Sequence, residues 1–442
     1  MMAGGTWTTQ NKVRPGVYTN TVSQSRPIGS IGERGIVAFP APLPWGPTGV
    51  IKITADEFQD KALPLLGYRA TDDAIRHIAA AMAHANTLLL YGLGRQGSVK
   101  ATATVGNLTA TAKYGGLRGN DLKVVIQESL DVAGAFDVYT LLDNEELDRQ
   151  TAATVSGLVA NDYIDWSGTG AITATAGASL TDGAAGTLTG NEYSDALTAF
   201  EAEDFNVLGI PSDESTVKQL TVAYTKRLRN DGKKFTTMVI GYPQADTEGV
   251  TSLKNGIITD DGLTVPATSL IWEVAAMAAA ARVNQSLTNT DIPNAIDAYP
   301  KYTNAEIIQA LSDGELVISI NQGRVVVEQD INTLTTFTLE KRNEFRKNRV
   351  LRVLDGIDND LQRIFGEFYL GKVSNNANGR NLFKKEAINY LTNLQNIEAI
   401  QNFDSQTDII VAPGIDSDAI TIDLYIQPVD SIEKIYMTVT VR

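Results

Sequence analysis

The sequence contains no cysteine and only two histidines, His77 and His84, in 442 residues. The missing thiols exclude disulfides, thiolate nucleophiles, iron–sulfur clusters and cysteine-ligated zinc. A Ser-His-Asp triad or a histidine-based metal site would have to use one of those two histidines. They are seven residues apart, so they can share a helix face, but the spacing is too long for one metal site. Long apolar runs are also missing. No stretch reaches the eighteen or so apolar residues of a membrane-spanning helix, so no membrane insertion is expected. The opening MMAGGTWTTQNKVRPGVYT lacks the apolar core of a signal peptide, which implies folding and assembly in the cytoplasm.

Positive charge is scarce. Lys and Arg number 37 against 52 Asp and Glu, for a net charge of −15. This disfavours a global attraction to nucleic acid, and no direct nucleic-acid contact is expected. No Walker A, GxSxG or HExxH pattern occurs. The acidic pairs Asp260-Asp261, Asp358/Asp360 and Asp416/Asp418 fall in turn-like stretches, where carboxylates cap backbone groups. The expectation is a protein that is no enzyme, with no cofactor, no bound metal and no catalytic residues.

What is present is a mixed pattern of the α/β (α+β) multi-domain class. Residues 1–20 are polar, rich in turn residues and without helical period, and read as an extended linker arm. Residues 21–97 and 191–340 alternate strands and helices. Examples are Ile36-Val37-Ala38-Phe39, the helical stretch 71–86, TLLLY, FNVLGIP and the Ala-rich helix near 268–286. This alternation implies a helix-covered, partly parallel mixed sheet. ELVISINQGRVVVEQ, 315–329, reads as a hairpin turning at Asn321-Gln322-Gly323. Between the two halves, residues 98–190 change texture to Thr, Val, Ala and Gly with period-two patterning, the mark of an inserted antiparallel β domain. Residues 341–442 form a fourth region, beginning with a helix from about 343 to 371. Val350, Leu354, Ile357, Leu361, Ile364 and Phe368 are spaced along it as one apolar stripe.

Three local signals invite a function. The first is LLLYGLGRQG, 88–97, which spells GxGxxG after an apolar run. A dinucleotide site needs the last glycine to open a helix whose N-terminus holds the pyrophosphate. The residues that follow, SVKATATV, are β-prone, and the acid expected about twenty positions later has a candidate only in Asp121. An NAD-dependent oxidoreductase is thus the alternative reading, weaker than a glycine-rich crossing into the inserted domain. The second is KRNEFRKNRVLR, 341–352, with six basic residues and one acid. On a helix, Arg342, Arg346 and Arg349 share one face and suit an electrostatic contact with an acidic surface, in addition to the bland reading of a solvated face. The third is the carboxyl end. Ile435, Met437, Val439 and Val441 alternate with Tyr436, Thr438 and Thr440, an edge-strand pattern that calls for a partner. A carbohydrate- or surface-binding module at 98–190 is a further reading.

RPGVYTN, 14–20, followed by IGERGIVAFPAPLPWGP, 31–47, resembles the start of contractile phage tail sheath proteins. FTLEKRNEFRKNRVLRVLDGIDNDLQRIFGEFYLGKV, 337–373, NGRNLF, 378–383, and DLYIQPVDSIEKIYMTVTV, 423–441, resemble the C-terminal domain of the same family, in its branch from Gram-positive hosts. The resemblance implies a structural subunit that polymerises helically around a tail tube and contracts to drive the tube through a cell envelope. It implies an inter-subunit arm carrying Arg14, Pro15, Gly16, Val17 and Tyr18. It likewise implies an inter-subunit strand over Ile435, Tyr436, Met437, Thr438, Val439, Thr440 and Val441. Both would work by β-augmentation. The implied partners are copies of the chain itself, the tail tube protein, and baseplate and tail terminator proteins. The inserted domain would face outward. Arg342, Arg346 and Arg349 would contact the tube or a neighbouring subunit.

Overall fold

The structure is a computed structural model that describes residues 3–5, 16–18 and 30–441. The chain divides into two compact units. The larger comprises 33–359 with 428–442, the smaller 1–32 with 360–427.

The larger unit is built on a seven-stranded sheet. Its order is Glu315–Leu316, Val250–Leu253, Thr236–Ile240, Val207–Gly209, Ile36–Pro42, Thr87–Leu93, Val50–Thr54. All neighbours pair parallel except the last, which is antiparallel. The central strands are nearly continuous apolar runs, because both faces are covered. Register makes this explicit. Val37 pairs with Leu88 and Phe39 with Leu90, and all four point into a core capped by the helices Arg76–Met82 and Ala267–Ala280. Ala38 pairs with Leu89 between them, and these face the opposite core, under the helices Glu192–Glu201 and Ser215–Asn230. Phe39 stacks on Trp272 with ring centroids 4.0 Å apart. The α/β expectation holds.

The segment between the two sheet halves is a β-sandwich. One sheet orders Glu145–Ala152, Phe136–Leu142, Leu122–Glu128 and Thr175–Ser179. The other orders Ile164–Gly168, Leu108–Gly115 and Lys100–Val105. Its core alternates as an antiparallel sandwich requires: Leu108, Ala110, Ala112 on one strand and Leu122, Val124, Ile126 on another. The hairpin at the far side of the main body runs Ile318–Asn321 to Arg324–Val327. Its turn sits on Gln322 (φ 51°) and Gly323 (φ 81°), a pair with positive φ that matches the strand twist.

The boundary between the units falls inside one helix, Asn348–Phe368. In the smaller unit the end of that helix meets the helix Ala377–Asn396, with Phe383 edge-on to both Phe365 and Tyr369. Asp360 gathers the hydroxyl of Tyr390 at 2.9 Å and the amide of Gly32 at 3.0 Å. A two-stranded hairpin, Ile409–Pro413 with Ile420–Leu424, packs beside the second helix. Gly16–Tyr18 and Ala3–Gly5 form a short parallel pair.

Candidate functional site

The carboxyl-terminal segment is the least ordinary surface of the molecule. From Val429 to Val441 it forms no strand among the described residues. Ile435, Tyr436, Met437, Val439 and Val441 are between 77% and 92% exposed, and Lys434, Thr438 and Thr440 are exposed too. The expected strand therefore has no ladder partner among the described residues. Such a row of large apolar groups in water is unusual, since scattered single exposures are the norm.

The segment is nonetheless held at its root. Glu433 accepts from Gln329 Nε2 at 2.7 Å and Thr288 Oγ1 at 2.9 Å, and it pairs with the ammonium of Lys347. Burial on its own would raise the Glu433 pKa. The Lys347 charge and the hydrogen bonds outweigh burial and hold it below the ordinary Glu value.

At the other end, Gly16, Val17 and Tyr18 lie in the strand Gly16–Tyr18. Arg14 and Pro15 lie outside the described residues.

The basic segment differs from the sequence expectation. The helix begins at Asn348, not near 343, and Asn343–Arg346 is a single 3-10 turn. Lys347 between them is extended (ψ 119°). Arg342, Arg346 and Arg349 therefore do not share a helix face, because Arg342 and Arg346 precede the helix and Arg349 sits in its first turn. The cause is long-range. The amide of Asn332 donates to Arg346 O at 3.0 Å, Ile331 bridges Lys347, and the amide of Asn348 donates to Asp330 O at 3.1 Å. These bonds pull 346–348 into a strand-like contact that a helix could not make. Arg342 is exposed, and Arg346 is partly buried. Arg346 keeps Nε and Nη2 buried with no acceptor among the described residues, and burial lowers its pKa.

The glycine motif also resolves. Gly94 and Gly97 both take φ near 69°, which lets the backbone turn sharply. No helix opens on Gly97, and the next element is the strand Lys100–Val105. There is no helix N-terminus to receive a pyrophosphate. The motif's central residue has a different role. Arg95 is 3% exposed. Its Nη2 donates to Gly46 O and, at 2.8 Å, to Gly115 O, while Nη1 reaches Leu43 O at 3.5 Å; Nε is buried without an acceptor. Arg118 does similar work nearby. It donates to Gly67 O at 2.9 Å, forks onto Asp143 at 2.9 and 2.5 Å, and lies over the Tyr68 ring at 4.5 Å. The two arginines tie the sandwich to the main sheet. A crossing that reads as flexible from its glycines is pinned by the Arg between them.

Sequence reasoning missed a second charged feature. Asn348, Arg352 and Asp355 recur at 4 and 3 along the helix, yet all three are buried in the larger unit. Asn348 and Arg352 meet Asp330 at 2.9 and 3.3 Å. Asp355 takes both terminal nitrogens of Arg229, at 2.7 and 2.9 Å. By hydropathy these residues read as a solvent face; only the charged residues Asp330 and Arg229, distant in sequence, reveal otherwise. His77 packs edge-on to Trp272 at 4.7 Å, and His84 lies 3.4 Å from Glu273. Among the described residues no cluster of three or more side chains could hold a metal.

Four family models match in order: "Tail sheath protein Gp18 domain III N-terminal region" over residues 34–93, "Phage tail sheath protein beta-sandwich domain" over 96–185, "Phage tail sheath protein central domain" over 186–333 and "Phage tail sheath C-terminal domain" over 340–442. The crystal structure of a sheath tail protein from Desulfitobacterium hafniense is 50% identical, with TM-score 0.83, covering 96% of this chain and 99% of that one. The phage-like element PBSX protein XkdK of Bacillus subtilis is 34% identical over the full length of both chains. The helical sheath of the anti-feeding prophage in its contracted state shares the fold, with TM-score 0.59 at 13% identity over 98% of this chain and 99% of that one. The chain belongs to the phage tail sheath protein family.

Proposed function

We propose that this contractile-sheath subunit polymerises by lending its end segments to neighbouring copies. The carrying observation is the segment 434–441, rooted at Glu433 and otherwise exposed with a β alternation that nothing among the described residues pairs. Added to the edge of another subunit's sheet, it would satisfy its backbone groups and bury one apolar row. The hairpin Ile409–Pro413/Ile420–Leu424 is a suitable receiver. Its outer edges are unpaired among the described residues, and two strands alone are marginally stable in water. Gly16–Tyr18 and the arm around Arg14 and Pro15 would act in the same way from the other end. Each subunit gives to one neighbour and receives from another. A contact of this head-to-tail kind does not close on itself and so builds a helix.

Contraction then becomes a shift between two packings of rigid bodies, with the exchanged strands keeping neighbours linked throughout. The polymer would surround a tail tube and end on baseplate and tail terminator proteins, with the β-sandwich facing outward. Assembly would take place in the cytoplasm and yield a component of a phage or phage-like particle. The role is structural rather than enzymatic. Removal of residues 434–442 should leave a folded protein by circular dichroism that forms no tubes in negative-stain micrographs. Intact tubes from that truncation would sink strand exchange.

A further inference from the structure

A groove of about 510 Å³ opens in the larger unit between the helix Arg76–Met82, the start of the helix Ala267–Ala280 and the strands Gly256–Thr259 and Thr264–Val265. Its walls are half apolar, with Ala80, Ile257, Leu263 and Leu270 among them. Its charged groups are four carboxylates, Asp73, Asp260, Asp261 and Glu273, against one guanidinium, Arg76. Arg76 is already shared between Asp73 and Asp261, each at 2.9 Å. Asp260 is exposed at the rim and forms no ion pair among the described residues. His77, also in the wall, is kept neutral more readily by its burial. The groove is thus an apolar trough with a net negative rim.

The larger unit also carries an exposed loop with apolar tips and mixed charge, Glu340 and Glu344 beside Lys341 and Arg342, of which Lys341 is held by Glu248 at 2.6 Å. Residues 336–344 form this loop, in which Phe337 is 43% and Leu339 91% exposed. Arg342 follows directly, exposed and without an ion pair among the described residues. The base of the loop holds Arg346, whose two buried, unbonded nitrogens make its conformation in the free chain costly. A segment in that condition gains by shifting onto acceptors elsewhere.

The two surfaces lie on opposite faces of the central sheet. The groove is formed by helices that cover one face. The loop lies by the helix Ser215–Asn230, which covers the other: Thr336, Thr338 and Lys341 share a hollow with Lys226 and Arg229. A chain cannot fill its own groove with its own loop in this arrangement, but successive copies can.

We propose that the loop 336–342 of one subunit docks in the acidic groove of the next, with Leu339 and Phe337 on its apolar wall and Arg342 on Asp260. This rests on the self-polymerising reading and adds a second contact to strand exchange, made by rigid bodies and weakened by salt. Such a contact is releasable while the exchanged strands hold.

The absence of native cysteine allows a direct test. Leu339→Cys and Leu263→Cys variants of the full chain are mixed at high concentration under a mild oxidant, and non-reducing gels read the products. A disulfide needs Cβ atoms about 4 Å apart, so only true neighbours link. The expected result is a covalent dimer from the mixture, and a ladder of multimers from the double variant. Leu339→Cys mixed with Val159→Cys, in the sandwich, should give none. No dimer from the loop–groove pair, or equal yield from the control pair, overturns the proposal. Charge exchange gives the second arm. Arg342→Glu or Asp260→Lys alone should slow tube formation about tenfold, and the two together should restore it. Singles that assemble like the parent, or a double no better than its worse single, also overturn it. If the loop–groove pair links while the 434–442 truncation still forms tubes, strand exchange fails and the docking stands.

Discussion

Two places in this chain break the usual placement of residues, in opposite directions. At the junction between main sheet and sandwich, charge is inside: Arg95 and Arg118 are buried and spend their donors on backbone carbonyls and on Asp143 and Asp121. At the carboxyl end, apolar surface is outside: Ile435, Met437, Val439 and Val441 stand in water. The first joint is made within one subunit, and removing any member leaves further buried polar groups unpaired. The second is incomplete by the same rules. The contrast teaches that the protein closes its internal joints with specific, short-range bonds, while the exposed end, under the proposed strand exchange, is an external joint that waits for another subunit. A subunit that must move without deforming needs both.

The contrast can be broken most severely at the open end. Met437→Asp places a charge in the row that should be buried on assembly. Tube formation in negative-stain micrographs should be lost, while the unfolding free energy of the unassembled subunit from urea titration stays within about 0.5 kcal/mol of the parent, as for any surface change. Next comes the closed joint. Arg95→Met strips the donors from Leu43, Gly46 and Gly115 and should cost about 3 kcal/mol in urea unfolding, with early proteolysis at the sandwich boundary. A silent Arg95→Met would show that the sandwich is held by apolar contact alone.

A smaller effect tests the root of the open end. The Glu433 pKa is lowered in the folded chain, so its pairing contributes above the ordinary Glu value near 4.3 and fades as pH falls through and below that value. A fluorophore on Thr438→Cys should lose anisotropy over that acid range. Glu433→Gln should start lower at neutral pH and respond less. The smallest effect sharpens the rule. Leu130 is 98% exposed in the sandwich. As an isolated exposure, Leu130→Ser should change stability by less than about 0.5 kcal/mol and leave tube yield unchanged.

The sequence carried some of this plainly. The Gln322-Gly323 turn was legible because turn chemistry is a local property. The buried strand Leu88–Tyr91 was legible as an apolar run for the same reason. The start of the helix at Asn348 was not, because bonds from Asp330 and Asn332 decide it, and nothing in KRNEFRKNRV records them. The role of Arg95 was hidden more deeply. Its acceptors are main-chain carbonyls, which every residue has, so no side-chain pattern announces them. The buried row Asn348, Arg352, Asp355 looked like a wet face for the converse reason: its partners Asp330 and Arg229 are distant in sequence.

The fastening at Glu433 has a metric consequence. The chain beyond it is fixed at one end, so residues 434–441 can extend only so far. Eight residues at about 3.3–3.6 Å each reach roughly 26–29 Å. Any sheet edge that receives this strand must lie within that radius of the donor's Lys347 and Gln329 while Glu433 stays bound. In the proposed exchange the tail would be a ruler as well as a link. Under the proposed exchange it would set an upper limit on how far two subunits can part before either the strand or its root must let go.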